Sequence, residues 1–165
     1  MKDILDGALC LARQITGSRE DSRDILQTAM VKTLEQRGAP RPDEAGFKPW
    51  FYRVVHNQAI DVLRARRRFV DQAELPEPAS EAQEPGRLLG QDERRRLLHQ
   101  ALSRLTAEQR EIICLKDFHD FSYADIATIL AIGKGNVMVR LHRARQALKR
   151  ELLALGATVG GDDEL

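Results

Sequence analysis

The sequence predicts an all-α protein: two small helical domains joined by a flexible acidic linker, the second containing a helix-turn-helix. Three observations point there. All six prolines fall in two clusters, Pro40, Pro42 and Pro49, then Pro76, Pro78 and Pro85, which leaves the rest of the chain free to be helical. No stretch sustains the period-two alternation of a half-buried strand, whereas apolar residues recur at spacings of three and four. Charge is also segregated, although the 165 residues sum to only +1: Phe69 to Glu93 holds seven acids and a single base, Arg87. The domains are expected at residues 1–69 and 91–156, with the linker at 70–90 and a disordered tail at 157–165. Independent motion of the two domains about the linker is the matching expectation.

The first helix is expected from about Asp3 to Thr16, with Ile4, Leu5, Ala8, Leu11, Ala12 and Ile15 on one side and Gly17 ending it. Ser18 with Asp21 forms a capping box. It opens a second helix to about Arg37 that buries Ile25, Leu26, Ala29, Met30 and Leu34. The loop from Gly38 to Phe47 is too rich in proline and glycine to continue it. From Lys48 to Phe69, Pro49 suits a first helical turn, and Trp50, Phe51, Val54, Val55, Ala59, Val62 and Leu63 form a wide apolar side. Arg53, Asn57, Asp61, Arg64 and Arg68 share the opposite side. That polar stripe fits a solvated face or a nucleic-acid surface equally well.

Beyond the acidic linker, Leu88, Leu89, Leu97, Leu98, Ala101 and Leu102 mark a helix ending near Ser103. Thr106 and Gln109 cap the next, which carries Ile112, Ile113 and Leu115. Ser122 with Asp125 caps a short helix holding Ile126, Ala127, Ile129 and Leu130. Ala131-Ile132-Gly133 then breaks the run, because glycine tolerates the left-handed backbone of a sharp turn. The last helix buries Val137, Leu141, Ala144 and Leu148. A short helix, a glycine turn and a longer basic helix make a helix-turn-helix.

Charge on that unit indicates its partner. From Ile126 to Arg150 there is no acid, while Lys134, Arg140, Arg143, Arg145, Lys149 and Arg150 are basic. A solvated helix would mix acids among the bases at i,i+4; one-sided charge suits phosphate neutralisation. Enzyme chemistry has no such signature: no nucleophile–base pair, metal-ligand spacing or phosphate loop is present, and His56, His99, His119 and His142 are scattered. Cys10 and Cys114 are too few for a disulfide framework or a metal site and read as reduced, packed thiols. No cofactor is expected. Absence of a signal sequence or membrane-length apolar run predicts a cytoplasmic protein.

These residues resemble the bacterial sigma-70 family, specifically the small extracytoplasmic-function (ECF) sigma factors. Asp24 to Met30 looks like the family's D-L-V-Q-E-x-F helix, and Trp50 to Arg64 its W-L-x-x-I-A-R-N-x-A-I-D-x-L-R signature. Ser122 to Ala127 and Leu141 to Arg145 are similar to its S-Y-x-E-I-A and L-H-R-A-R motifs. The resemblance implies a non-enzymatic subunit that directs RNA polymerase to promoters and helps to melt the −10 box. Its partners would be core RNA polymerase, through clamp helices and flap, and promoter DNA, with room for an anti-sigma protein. By position, Asp24, Gln27 and Met30 would bind polymerase. Arg53, Asn57, Arg64, Arg66 and Arg67 would hold the melted −10 strand, with the loop Gly38 to Phe47 as its pocket. Tyr123, Asn136, Met138, Val139, Arg140, His142 and Arg143 would meet the −35 box.

The chain departs from the pattern in three places. The family's first short helix and much of its second have no counterpart before Met1. Thr28 and Met30 stand where the family usually has glutamate and phenylalanine. Gly133, Asn136, Met138 and Val139 replace P-x-G-T-V-[KR]-S, which loosens the start of the recognition helix and shifts readout toward thymine methyls. An alternative function is a sigma mimic that sequesters an anti-sigma protein without touching DNA. The retained arginines argue against it, as the Trp50 to Arg68 signature argues against a plain repressor.

Overall fold

A computed structural model describes residues 1–70 and 91–157. The described residues form seven α-helices and one π-helical turn joined by loops, with no strand among them. The helices are α1 (Lys2–Thr16), α2 (Arg19–Glu35), α3 (Phe47–Val70), α4 (Gln91–Ser103), α5 (Ala107–Ile113), α6 (Tyr123–Leu130) and α7 (Lys134–Ala154). The π turn, Cys114–Phe118, continues directly from α5. Apart from Val70 and Ala157, the linker and tail expected from the sequence lie outside the described residues.

Local chemistry explains the boundaries. The amides of Asp21 and Asp125 donate to Ser18 Oγ and Ser122 Oγ at 3.1 Å, capping α2 and α6. Thr106 and Gln109 exchange two hydrogen bonds of 3.2 Å at the start of α5. Each cap satisfies amides that the first helical turn leaves unpaired. Gly17 ends α1 in the left-handed region at φ 69° and donates its amide to the Arg13 carbonyl. The turn between α6 and α7 differs from expectation: Ala131, not Gly133, takes the left-handed backbone, at φ 53°, while Gly133 is extended at φ −69°.

In the first half, α1, α2 and α3 pack against one another through Ala8, Leu11, Ala12, Ile15, Ile25, Ala29, Phe51, Val55 and Ala59, all buried. The Arg66 guanidinium bonds the Asp21 carboxylate and the Thr16 carbonyl, tying the far end of α3 to the α1–α2 corner. In α2 the apolar stripe is narrower than expected. Met30 is 45% and Leu34 87% exposed, with Val31 exposed between them. The second half packs α4, α5 and α6 onto α7 around Ile112, Ile113, Ile126, Ile129, Val137, Leu141 and Ala144.

The two halves share one core. The sequence predicts domains that move independently, yet α1 packs on α5 and the π turn, and α3 packs on α6. Tyr52 of α3 stands edge-on to His119 and Phe121, with ring centroids 5.3 and 4.8 Å away, and the Lys48 ammonium lies 4.8 Å from the Phe121 ring centre. His56 Nε2 lies 2.9 Å from Glu111 Oε2, both residues being buried. The contact is close but bent away from hydrogen-bond alignment. Arg110 Nε donates to the Gln14 carbonyl at 2.9 Å while its Nη1 donates to Leu105, joining α5 to the end of α1. Burial holds that guanidinium below its ordinary pKa.

Gly7 makes this junction possible. A Cβ there would stand 2.1 Å from Tyr52 Oη and 3.2 Å from His119 Nδ1. Gly7→Ala gains about 1 kcal/mol of helix propensity but overpacks a rigid ring, which costs about 1–3 kcal/mol. A net loss is expected, read by urea melting. Removing the obstructing hydroxyl in Gly7→Ala/Tyr52→Phe should restore most of it, and a double variant no more stable than Gly7→Ala would place the conflict elsewhere.

Candidate nucleic-acid interface

Two polar surfaces stand out once the core is assigned. The first runs along α3. Arg53, Asn57, Arg64 and Arg67 are exposed, while Phe51, Tyr52, Val55, His56 and Ala59 between them are buried. One face of a long helix is therefore committed to packing, and the other presents the guanidiniums of Arg53, Arg64, Arg67 and Arg68, the Asn57 amide and the Asp61 carboxylate to solvent. Arg66 is exposed too, but its guanidinium is engaged by Asp21 and Thr16. It is a brace for the helix, and a role as a strand contact would require giving up that ion pair. In the loop before α3, Arg41 pairs with Asp43 at 3.6 Å and donates its amide to Glu44 Oε2, so the turn is organised by its own side chains.

The second surface is the N-terminal half of α7. Asn136, Met138, Val139, Arg140, His142 and Arg143 are exposed, while Val137, Leu141 and Ala144 are buried against α5 and α6. No side chain caps this helix and no acid stands in its first turn, so its amides and positive dipole end face outward unneutralised. Tyr123, at the start of α6, is half-buried with the Lys116 ammonium 5.1 Å from its ring centre. Arg145 is turned inward and holds Asp117 through Nε at 3.2 Å and through Nη2. That contact raises its pKa and fixes α7 to the π turn.

The backbone at Gly133 suggests a repair. Its φ of −69° and ψ of 149° suit proline, and a Cβ there meets no atom within 4 Å. Gly133→Pro should stabilise the helix start by about 0.4–1 kcal/mol by restricting the unfolded chain. An unchanged or lowered melting temperature would count against this turn geometry.

A third surface lies on α2, where Asp24, Gln27 and Met30 are exposed beside Val31 and Leu34. Large apolar side chains on one strip, flanked by a carboxylate and an amide, form a patch suited to another protein. Sequence periodicity placed Met30 and Leu34 in the core and so concealed it.

The structure also gathers residues that sequence reading left scattered. Cys10 of α1, Cys114 of the π turn and His119 directly after that turn bring their donor atoms within 4.8 Å of one another, across the junction of the halves. Cys10 is exposed and Cys114 buried. Hydrogen bonding with Cys114 and His119 lowers the Cys10 thiol to about 5, and the same contact with Cys10, together with burial, pushes Cys114 up. Tyr52 and His56, also missed, lie one turn apart on the side of α3 that faces the second half. Their only sequence signal is the spacing of four from Lys48.

Comparison with known proteins agrees with the two-part reading. The family model described as Sigma-70 region 2 matches residues 5–69, and that for Sigma-70, region 4 matches residues 95–148. The chain is 32% identical over 146 residues to the RNA polymerase sigma-H factor of Pseudomonas aeruginosa, covering 82% of this chain and 75% of that one. It is 32% identical over 152 residues to the ECF RNA polymerase sigma factor SigL of Mycobacterium tuberculosis, covering 89% and 83%. Among solved structures, the sigma factor RpoE of Bartonella quintana, crystallised with the anti-sigma factor NepR, is similar with a TM-score of 0.70 at 27% identity. That match covers 93% of this chain and 94% of RpoE. Among the described residues, no helix is long and apolar enough to cross a membrane.

Proposed function

Because the chain belongs to the sigma-70 family, among the ECF RNA polymerase sigma factors, we propose that it directs core RNA polymerase to specific promoters and helps to open the −10 element, in the cytoplasm and without chemistry of its own. The observation that carries this reading is the sorting of α3 and α7. On both helices the residues assigned to DNA are exposed, Arg66 alone being tied to Asp21 and Thr16, while their neighbours are committed to the core. On α3, Arg53, Asn57, Arg64 and Arg67 would hold a melted strand through phosphate contacts, returning the few kcal/mol that unstacking costs. On α7, Asn136, Arg140 and Arg143 would reach a major groove, with Met138 and Val139 offering apolar contact to thymine methyls. Asp24, Gln27 and Met30 would dock α2 on the polymerase clamp.

The geometry adds a requirement. By their names the two promoter boxes lie about 25 base pairs apart, or about 85 Å of duplex. A compact body of this length is only about 40 Å across. With α3 packed on α6, the two DNA-facing helices cannot reach both boxes. The form described here is therefore a closed one, and promoter engagement requires the halves to part. Similarity over nearly its full length to a sigma factor held by an anti-sigma protein supports reading the closed form as the silent one.

Run-off transcription tests the proposal. Core polymerase with the purified chain should start at discrete sites on a genomic promoter library, and the start sites should share two boxes. Core binding without initiation at any promoter would leave sequestration of an anti-sigma protein as the better reading.

A further inference from the structure

We propose that Cys10, Cys114 and His119 form a zinc site that clasps the two halves together, so that metal binding holds the protein in its closed form. The donor set fits. Two thiol sulfurs and an imidazole are ligands that Zn²⁺ accepts, and three protein ligands leave one vertex for water. Around a tetrahedral zinc such donors stand about 3.5–3.8 Å apart. The three donor atoms already lie within 4.8 Å of one another, so small side-chain rotations close the site.

Two features argue that the cluster is built. His119 Nε2 is buried with no hydrogen-bond partner, a costly state for an imidazole nitrogen unless something else engages the ring. The backbone is also adapted to bring Cys114 and His119 together. In an α-helix residues five apart point about 140° away from each other. Here the π turn closes a hydrogen bond of 3.0 Å from the His119 amide to the Cys114 carbonyl. Asp120 then leaves the turn at φ 52°, a left-handed backbone that a non-glycine residue adopts at a cost. Such π turns often occur at functional sites. Cys10 completes the set from α1 in the other half, and its exposure gives an ion a route in.

The site's position gives the ion a consequence. One ligand comes from α1 and two from the turn after α5, so a bound ion crosses the junction beside the Tyr52–His119 contact. Metal that binds only when the halves are together stabilises that arrangement by mass action. Whether this regulates transcription rests on the sigma reading; the binding itself does not.

The test uses the full chain, reduced and freed of metal with chelator. Titration with Zn²⁺ alone should show one equivalent bound and a raised melting temperature. Co²⁺ in its place should give the thiolate charge-transfer and intense visible bands of a tetrahedral site. Cys10→Ser and His119→Gln, one ligand from each half, should each weaken zinc binding by at least about 100-fold, the upper end of what losing a supporting partner alone costs. No zinc uptake by the reduced wild type, or uptake unchanged in either variant, overturns the site. In run-off transcription, stoichiometric zinc should silence the wild type and spare Cys10→Ser; equal inhibition of both overturns the clasp. A chain that binds zinc as expected but never initiates would remove the sigma reading and leave the metal site standing.

Discussion

His56→Ala should open the molecule. His56 and Glu111 are 8% and 5% exposed and meet at 2.9 Å between α3 and α5. Removing the imidazole leaves a gap beside a buried carboxyl with nothing facing it, a change that typically costs about 1–3 kcal/mol. The chain has an inexpensive escape, because parting the halves returns Glu111 to water without unfolding either one. The loss should therefore appear first as hydrogen exchange of the α5 and π-turn amides at conditions where α2 remains protected. Glu111→Gln keeps the volume and removes the charge, so it should cost much less. If His56→Ala melts as a single unit with all helices exchanging together, the junction is part of one indivisible core and the opening required for promoter binding is wrong.

Arg140→Ala should relax base preference at one position of the −35 box, by about 1–3 kcal/mol. Arg140 lies one turn beyond Asn136, near the uncapped N-terminus of α7, with its side chain exposed. Arg143, a turn farther on and also exposed, is expected to hold phosphate. Arg143→Ala should then weaken all sequences alike and reduce the salt dependence by about one unit of slope. Binding to a promoter library at two salt concentrations separates the two. A uniform loss in Arg140→Ala, or no loss in either variant, would detach α7 from base reading.

Much of this was legible in the chain because it is local. Ser18, Thr106 and Ser122 announce helix starts by hydrogen bonds that span three residues. The buried faces of α1, α3 and α7 follow from their apolar spacing. Two local readings failed where neighbours decide. Met30 and Leu34 continue the apolar pattern of α2, but α1 and α3 cover only the Ile25 and Ala29 side. Ala131 bears the left-handed turn although Gly133 is two residues away, because the chain must reverse directly after Leu130. The junction itself could not be read. Cys10 meets Cys114 only because α1 packs on α5 and the π turn, and nothing in the sequence between them specifies that pairing. The π turn is equally silent, since Cys114 to Phe118 continues a helical pattern and its extra residue per turn shows in backbone bonds such as that from His119 to Cys114.

Promoter recognition of this kind requires the halves to be closed at rest and parted on the promoter. Fluorescent labels at Glu20 of α2 and Lys149 of α7, both exposed, would report their separation by energy transfer. The free protein should give high transfer, and addition of core polymerase with promoter DNA should reduce it sharply as the halves move to boxes about 85 Å apart. High transfer that persists in a complex proven competent for initiation would contradict the account.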